Sequence, residues 1–185
     1  MPAKKVKQKQ WYTILAPTTF EEREIGKTFV AEANNLVGRR ITVSAIDLTG
    51  DFSKYYVKFI FRITKVDGNK AHTTLDGTEI LRDYISRMIL RRVRRIDTVQ
   101  DLKTKDGAMV RVKSLTVIGR RVKSSIQKEV RVAVKELLQD FVSESTLDDL
   151  VEKLLSDEAK NRILQEVRVI YPIRNFEFRK LEFAK

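Results

Sequence analysis

The chain of 185 residues contains no cysteine and only one histidine. Without cysteine it can form no disulfide, no thiolate nucleophile and no cysteine-ligated zinc site, which leaves it indifferent to the redox state of its compartment. An intracellular location is the simplest expectation. The histidine, His72, is predicted in a strand beside a hairpin, where a structural role is favoured over nucleophilic catalysis.

Motifs for metal or nucleotide chemistry are also missing. Asp47, Asp51 and Asp67 fall in separate predicted loops, without the spacing of a calcium-binding loop. Gly26-Lys27-Thr28 resembles the end of a phosphate-binding loop, but Glu21 occupies the position of the first glycine of that motif. The sequence therefore predicts no catalytic residue, no metal site and no cofactor, and it gives no positive support to a nuclease.

Long apolar segments are absent as well. No run approaches the roughly 20 apolar residues that a membrane-spanning helix needs. No apolar segment follows the lysines of residues 1–10, so a secretory signal is not predicted. We interpret residues 1–10 as a flexible basic arm. Counterion release would favour its lying on phosphates, although a disordered solubilising tail has the same composition.

What the sequence does contain is positive charge. Lysine and arginine number 37 against 25 acids, for a net charge of +12 and a pI near 9.9, and this balance predicts a polyanionic partner. Residues 82–95 concentrate it, with six arginines and one acid, Asp83. A guanidinium group matches phosphate oxygens in a bidentate geometry, so the segment suits a nucleic-acid backbone. A solvated helix face neutralised by acids elsewhere in the fold is the alternative.

Alternation of apolar and polar residues predicts that much of the chain is extended. Strands are predicted over residues 11–15, 26–30, 36–45, 54–66, 70–75, 91–102, 109–118, 167–173 and 175–183. Asp-Gly turns at residues 67–68 and 106–107 join neighbouring strands as hairpins. We therefore predict an α+β fold in which a curled antiparallel sheet or β-barrel is built from hairpins, with flanking helices. Residues 11–185 are expected to form a single domain.

Helical spacing of apolar residues predicts a short helix within residues 80–89 and a long one from Ser124, with Gln127 completing a capping box. Ser145-Thr146 is expected to cap a further helix, and one more turn or two begins near Ser156. Residues 136–166 hold nine acids against three basic residues. RNA would be repelled by this acidic helical portion, so it is expected to face solvent or a basic protein partner.

Charge and placement select the candidate RNA-contacting residues. They are Lys4, Lys5, Lys7, Lys9, Arg39, Arg40, Arg82, Arg87, Arg91, Arg92, Arg94, Arg95, Arg120, Arg121, Lys123, Lys128 and Arg131. Together they are expected to bind phosphates largely independently of base identity, since side chains cannot reach the bases through the narrow major groove of A-form RNA. Trp11 and Tyr12 can stack on bases or anchor a strand in the core, and the core role is favoured.

The order of several short motifs resembles the small-subunit ribosomal protein family called eS-one or S-three-Ae. They are Trp11-Tyr12 with Ala16-Pro17, Ile25-Gly26-Lys27-Thr28, Leu36-x-Gly38-Arg39 followed by Val43-Ser44 and Asp47-Leu48, Leu81-Arg82-Asp83, Thr104-x-Asp106-Gly107, and Tyr171-Pro172. Thr42 stands where many members carry an acidic residue. The long polar C-terminal extension of eukaryotic members does not follow Lys185, so the likeness is to the archaeal type.

The resemblance implies a structural constituent of the small ribosomal subunit in the cytoplasm, without enzymatic activity, on the platform near the mRNA exit. It implies contacts with the 3′ region of the small-subunit rRNA, with mRNA near its exit and with neighbouring ribosomal proteins, for which the acidic helices of residues 136–166 are a candidate surface. No membrane partner is implied. From the residues alone, a free-standing RNA chaperone or translation regulator is the alternative, and a metal-dependent nuclease is a third hypothesis.

Overall fold

A computed structural model describes residues 8–184 of the chain, so the predicted RNA-binding residues Lys4, Lys5 and Lys7 lie outside the described residues. Within that range the chain forms eight strands and five α-helices, and the sheet is mixed and does not close. The predicted α+β class with a sheet and flanking helices is confirmed. The backbone divides after Asp76 into two compact units, which are described separately.

The first unit is a set of short hairpins. It contains β1 (Gln10–Leu15), β2 (Glu24–Val30), β3 (Arg40–Ser44), α1 (Ala45–Thr49), β4 (Val57–Asp67) and the first part of β5 (Lys70–Ile80), with 3-10 helices at Thr18–Phe20, Ala33–Asn35 and Phe52–Lys54. β1 pairs with β2 in the antiparallel sense and with the start of β5 in the parallel sense. The parallel pairing of β1 with β5 makes the sheet mixed.

The predicted turn between β4 and β5 is present. Gly68 has a φ of 57°, a left-handed conformation that glycine adopts without the clash of a Cβ atom. The core of this unit is formed by alternate residues of the strands, because successive side chains of a strand point to opposite faces. One cluster of buried residues in this core contains Tyr12, Ile14, Val30, Leu36, Ile63 and Ala71.

The second unit packs three helices against a sheet. It contains the end of β5, α2 (Arg82–Met88), β6 (Arg94–Lys103), β7 (Met109–Ile118), α3 (Ser124–Glu144), α4 (Leu147–Leu155), α5 (Glu158–Arg168) and β8 (Asn175–Ala184). β7 lies between β6 and β8 and pairs with each in the antiparallel sense. β8 also pairs with β5, where a Cβ atom on Gly77 would overlap the carbonyl oxygen of Leu181. Only glycine permits that approach.

The residues buried on the long helix α3 are those that the apolar spacing of its sequence predicts. Val130, Val134, Leu138 and Phe141 recur every three or four residues and are buried, so they form one apolar stripe. The stripe belongs to a core that also contains residues of β7, α5 and β8, among them Val112. Burial of this kind contributes about 25 cal/mol for each Å² of apolar surface removed from water, and it holds α3 against β6.

The predicted strand over residues 167–173 is wrong. Val167 is the last buried residue of an α5 stripe that also contains Ala159 and Ile163, and the helix ends at Arg168. The β-branched residues Val167, Val169 and Ile170 suggested a strand because local propensity favours it. Burial of one helical face against the core overrides that propensity, and Val169 is left 88% exposed after the helix.

The predicted capping box at Ser124 is also wrong. Lys123 occupies the N-cap position and no side chain caps the helix. The Gln127 side chain instead donates a hydrogen bond to the Val122 carbonyl, at 2.9 Å. The next cap is confirmed, since Thr146 and Asp149 form a capping box at the start of α4.

Candidate nucleic-acid interface

The loops at one end of the β6–β7 hairpin bring four arginines together. Arg94 is the register partner of Ile118, so the residues just before β6 and just after β7 lie side by side. Each of these two loops contributes a pair of arginines. The loops enclose an open pocket of about 540 Å³, here called the four-arginine pocket, which is lined by Arg91, Arg92, Gly119, Arg120 and Arg121.

The four-arginine pocket has no internal neutralisation. All four arginine side chains are exposed, no acidic residue lines the pocket, and no acid within residues 8–184 forms an ion pair with any of them. Guanidinium groups stay protonated at every physiological pH. Four of them at short range repel one another unless an anion lies between them, so the geometry favours a polyanion such as a phosphate backbone.

The first of the two loops is held in an unusual conformation. Arg92 has a φ of 73°, which costs a non-glycine residue roughly 1–2 kcal/mol. The turn is closed by the Val93 amide, which donates to the Leu90 carbonyl at 3.2 Å. Strain of this size persists where surrounding structure fixes the backbone, and it clusters at functional sites. It is a second, independent reason to regard this loop as part of a binding site.

The remaining arginines of the predicted cluster already have partners inside the fold. Arg95 forms a bidentate ion pair with Asp97, with nitrogen–oxygen distances of 2.9 to 3.0 Å. Arg94 donates from Nε to the Gln127 side chain at 3.1 Å, and Arg87 donates to the Asp83 carbonyl at 3.3 Å. The predicted cluster of residues 82–95 therefore divides into engaged arginines and available ones.

A second cationic pocket, of about 440 Å³, lies beside β8 and is called the β8 pocket. Its lining residues are Glu79, Ile80, Arg82, Ile85, Ser86, Arg95, Lys113, Arg179 and Lys180. Lys113 and Lys180 both bind Glu182, at 3.0 and 2.9 Å, and Arg95 is held by Asp97. Only Arg82 and Arg179 among these cations have no ion pair within the described part of the chain.

Arg179 was missed by the sequence analysis. Lys113 pairs with Lys180 whereas Ser114 pairs with Phe178, so Arg179 is the extra residue of a β-bulge. A bulge bends its strand and redirects a side chain. The signal was present in the sequence, because the apolar residues Phe178 and Leu181 are three positions apart in a strand that otherwise alternates by two.

Two of the acids that hold engaged cations, Glu182 and Asp101, have lowered pKa values. Hydrogen bonds from Lys180 and then from Lys113 lower the pKa of Glu182. The pKa of Asp101 is lowered chiefly by the hydrogen bond from Arg111, whose Nε lies 2.6 Å from the carboxylate. Both carboxylates therefore keep their charge at neutral pH and compete with any phosphate for these cations.

Other candidate residues are distributed over the surface. Arg39 is exposed, and Arg40 binds Asp76 at 2.7 Å, an acid that also pairs with Arg62 at 2.6 Å. Lys9 lies over the ring of Phe29. Lys123 precedes α3, and Lys128 and Arg131 are exposed on that helix without lining either pocket. Arg39, Arg40 and Lys9 do not line either pocket.

The acidic portion of residues 136–166 corresponds to the second half of α3, α4 and α5. Eight of its nine acids are exposed: Glu136, Asp140, Glu144, Asp148, Asp149, Glu152, Glu158 and Glu166. Its three basic residues neutralise little of this charge. Arg162 lies 3.3 Å from Glu166, while Lys160 is engaged by the buried Glu177 at 2.5 Å. This surface remains negative and unsuited to RNA.

Trp11 and Tyr12 differ in their exposure to solvent. Tyr12 is 6% exposed and lies in the core, as predicted, whereas Trp11 is 61% exposed.

His72 lies in β5, with Nε2 3.7 Å from Asp67. In the described residues no three potential ligands converge on a metal position, and no helix there has the length and apolarity to cross a membrane.

Comparison with known proteins gives a consistent result. The model of the Ribosomal S3Ae family matches residues 3–185. A protein of Sulfurisphaera tokodaii named "Small ribosomal subunit protein eS1" is 37% identical over 181 residues, which cover 98% of this chain and 94% of that protein. Proteins of the same name from Desulfurococcus amylolyticus and Methanothermobacter thermautotrophicus are each 38% identical, over 95% and 94% of this chain and 83% and 89% of their own lengths.

Proposed function

The chain belongs to the Ribosomal S3Ae family, and from this membership we propose that it is a structural constituent of the small ribosomal subunit in the cytoplasm. Its relatives carry the name of a small-subunit protein over nearly their full lengths. In such a role it is not an enzyme, and its partners are rRNA and neighbouring ribosomal proteins. The position on the platform near the mRNA exit is the finer part of the proposal, and it is supported by the resemblance alone.

The observation that carries the rRNA-binding part is the four-arginine pocket. Four exposed arginines, without acidic partners among residues 8–184, face one opening on two loops fixed by a hairpin and by the strained turn at Arg92. Guanidinium groups can each bind a phosphate through two parallel hydrogen bonds. A pair of adjacent loops therefore suits consecutive phosphates of a folded RNA strand, and it recognises backbone shape rather than base sequence.

The other predicted cations have supporting roles in this proposal. Arg82 and Arg179 in the β8 pocket and the exposed Arg39, Lys128 and Arg131 provide further phosphate contacts. The arm that carries Lys4, Lys5, Lys7 and Lys9 adds sequence-independent attraction, because each neutralised phosphate releases counterions. We propose that the acidic helices of residues 136–166 meet a basic ribosomal protein, since they repel RNA.

The proposal is tested by sedimentation of tagged chain expressed in an archaeal host. A structural constituent should travel with small subunits and stay with them through a high-salt wash, because many phosphate contacts and protein neighbours hold it at once. A density map of those subunits should then show the four-arginine pocket against rRNA and the chain on the platform. Release of the chain by the wash would instead indicate a free-standing RNA chaperone or translation regulator.

A further inference from the structure

Trp11 and Phe29 form an exposed pair of aromatic rings on the β1–β2 hairpin. They are register partners, with ring centroids 4.9 Å apart and an angle of 38° between the planes. Trp11 is 61% exposed and Phe29 is 47% exposed, whereas their chain neighbours Tyr12 and Val30 are buried. The rings therefore project from the face of the hairpin that does not meet the core.

Burial does not account for this pair, although the two rings contact each other across the strands. An aromatic side chain stabilises a protein mainly by burying its large surface, and Trp11 leaves most of its surface in water. Within residues 8–184, β2 pairs only with β1, so it is an edge strand of the described sheet. Exposed apolar residues on an edge strand favour unwanted association, and proteins usually place charged residues there instead. Two rings retained in that position point to a ligand.

The surroundings of the rings are cationic. Lys9 Nζ lies 5.8 Å from the centroid of the Phe29 ring. Lys27 is exposed two residues before Phe29 in the same strand, so it is on the same face, although its Nζ lies 3.6 Å from the exposed carboxylate of Glu24. The sequence before Trp11 adds Lys4, Lys5 and Lys7, and no acid occurs before Glu21. Charge complementarity therefore favours an anionic ligand that also presents flat apolar surfaces, and a single strand of RNA has both properties.

We propose that Trp11 and Phe29 are a stacking platform for an unpaired RNA base, with Lys9 placed for a flanking phosphate. Every base has a ring face, so the platform selects unpaired nucleotides without selecting a sequence. A regular duplex keeps its bases stacked inside and offers no such face. The inference rests on the proposed function in that its ligand is RNA, but none of its residues lines the four-arginine pocket.

The test uses the full chain and the fluorescence of Trp11, which is the one tryptophan of the protein. The probes are an oligoadenylate of about ten nucleotides, within the range that a single binding fold accommodates, an abasic ribose-phosphate strand of equal charge, and a blunt RNA duplex. We expect the oligoadenylate to quench the Trp11 emission, because stacking places a base against the indole ring. The abasic strand and the duplex should leave the emission unchanged.

Affinity for a labelled oligoadenylate separates stacking from general apolar contact. Trp11→Leu keeps an apolar side chain but no ring, and it should weaken binding roughly tenfold, whereas Trp11→Phe should stay within about threefold of the unsubstituted protein. Phe52→Leu is the matched control, since Phe52 is 79% exposed and lies away from the platform in the sequence. Circular dichroism of all variants should be unchanged, because none of these side chains is buried.

The outcomes distinguish this inference from the proposed function. Full affinity in Trp11→Leu would mean that the indole ring contributes nothing to RNA binding, and equal quenching by the abasic strand would mean that no base stacks on the rings. Either result overturns the platform. Duplex binding with no quenching by the oligoadenylate also overturns it, and it leaves the rRNA-binding role intact. A chain that binds neither the duplex nor the oligoadenylate would contradict the proposed function itself.

Discussion

The strands of the β6–β7 hairpin and the loops at its end carry the same kind of side chain in opposite electrostatic states. On the strands, Arg95 is held by Asp97 and Arg111 is held by Asp101. At the end, the arginines of the four-arginine pocket have no acidic partner within the described residues. The difference shows that the number of arginines in a segment does not measure the positive charge it offers to a ligand.

Strand geometry explains which arginines are neutralised. Asp97 is two residues after Arg95 on the same face of β6, and Asp101 is the cross-strand register partner of Arg111. Side chains in these relations are close enough to pair. The loops at the end of the hairpin have no such neighbours, because no acid occurs between Asp83 and Asp97 or between Asp106 and Glu129.

The largest expected effect comes from removing the unpaired arginines. Replacing Arg91, Arg92, Arg120 and Arg121 together by alanine should weaken binding to a small-subunit rRNA fragment roughly 100-fold at about 0.1 M salt. The slope of log affinity against log salt should fall in magnitude by about 3 to 4, since each lost phosphate contact removes about 0.9. Filter binding across a salt series measures both quantities.

A matched quadruple variant tests whether ion-paired cations contribute less to RNA binding than unpaired ones. Alanine at Lys65, Arg95, Arg111 and Arg162 removes the same four charges, but each of these cations is ion-paired. It should reduce the affinity and the salt slope far less. Equal losses in the two variants would show that net charge alone controls RNA binding, and the distinction between the two parts of the hairpin would then have no functional meaning.

A smaller change should convert a paired arginine into an available one. Asp97→Asn removes the charge that holds Arg95, a residue that lines the β8 pocket. We expect the rRNA affinity to rise about three- to tenfold and the salt slope to steepen by less than about 1, as one phosphate contact is gained. Stability should change little, because an exposed ion pair contributes only about 0–1 kcal/mol.

The control for this gain is Asp140→Asn. Asp140 is exposed on α3, within the acidic portion of the chain, and its substitution changes the net charge by the same amount. It should leave the affinity close to that of the unsubstituted protein. If the two variants bind RNA equally well, the increase comes from total charge and not from the release of Arg95.

Much of this comparison could be predicted from the sequence. The alternation of residues 109–118 and the Asp106-Gly107 turn predict the hairpin, and the arginine pairs at its open end follow from its register. The opposite faces of Trp11 and Tyr12 also follow from their adjacent positions in a strand, which means that both could not be buried in one core.

The rest depends on contacts between residues distant in the chain. Nothing local in residues 167–170 shows that Val167 completes the buried face of α5, because that face is defined by a core built from several strands and helices. The orientation of Gln127 toward Val122 and Arg94, in place of the predicted cap, has the same origin. Periodicity identifies an element, but tertiary packing determines where it ends.

The smallest expected effect concerns the acid that holds Lys113 and Lys180 at the β8 pocket. Hydrogen bonds from these lysines lower the pKa of Glu182 in the folded protein, so folding favours its ionised form. The stability that it contributes is complete above the ordinary glutamate pKa of 4.5 and is lost as the pH falls through the lower folded-state value.

Thermal unfolding measured between pH 7 and pH 3 should therefore show a smaller acid-induced fall in Tm for Glu182→Gln than for the unsubstituted protein. The control Glu136→Gln, at an exposed position of α3, should follow the curve of the unsubstituted protein. Parallel curves for all three proteins would mean that the lysines at this pocket are not held by Glu182 in solution and are as available to phosphate as the four arginines.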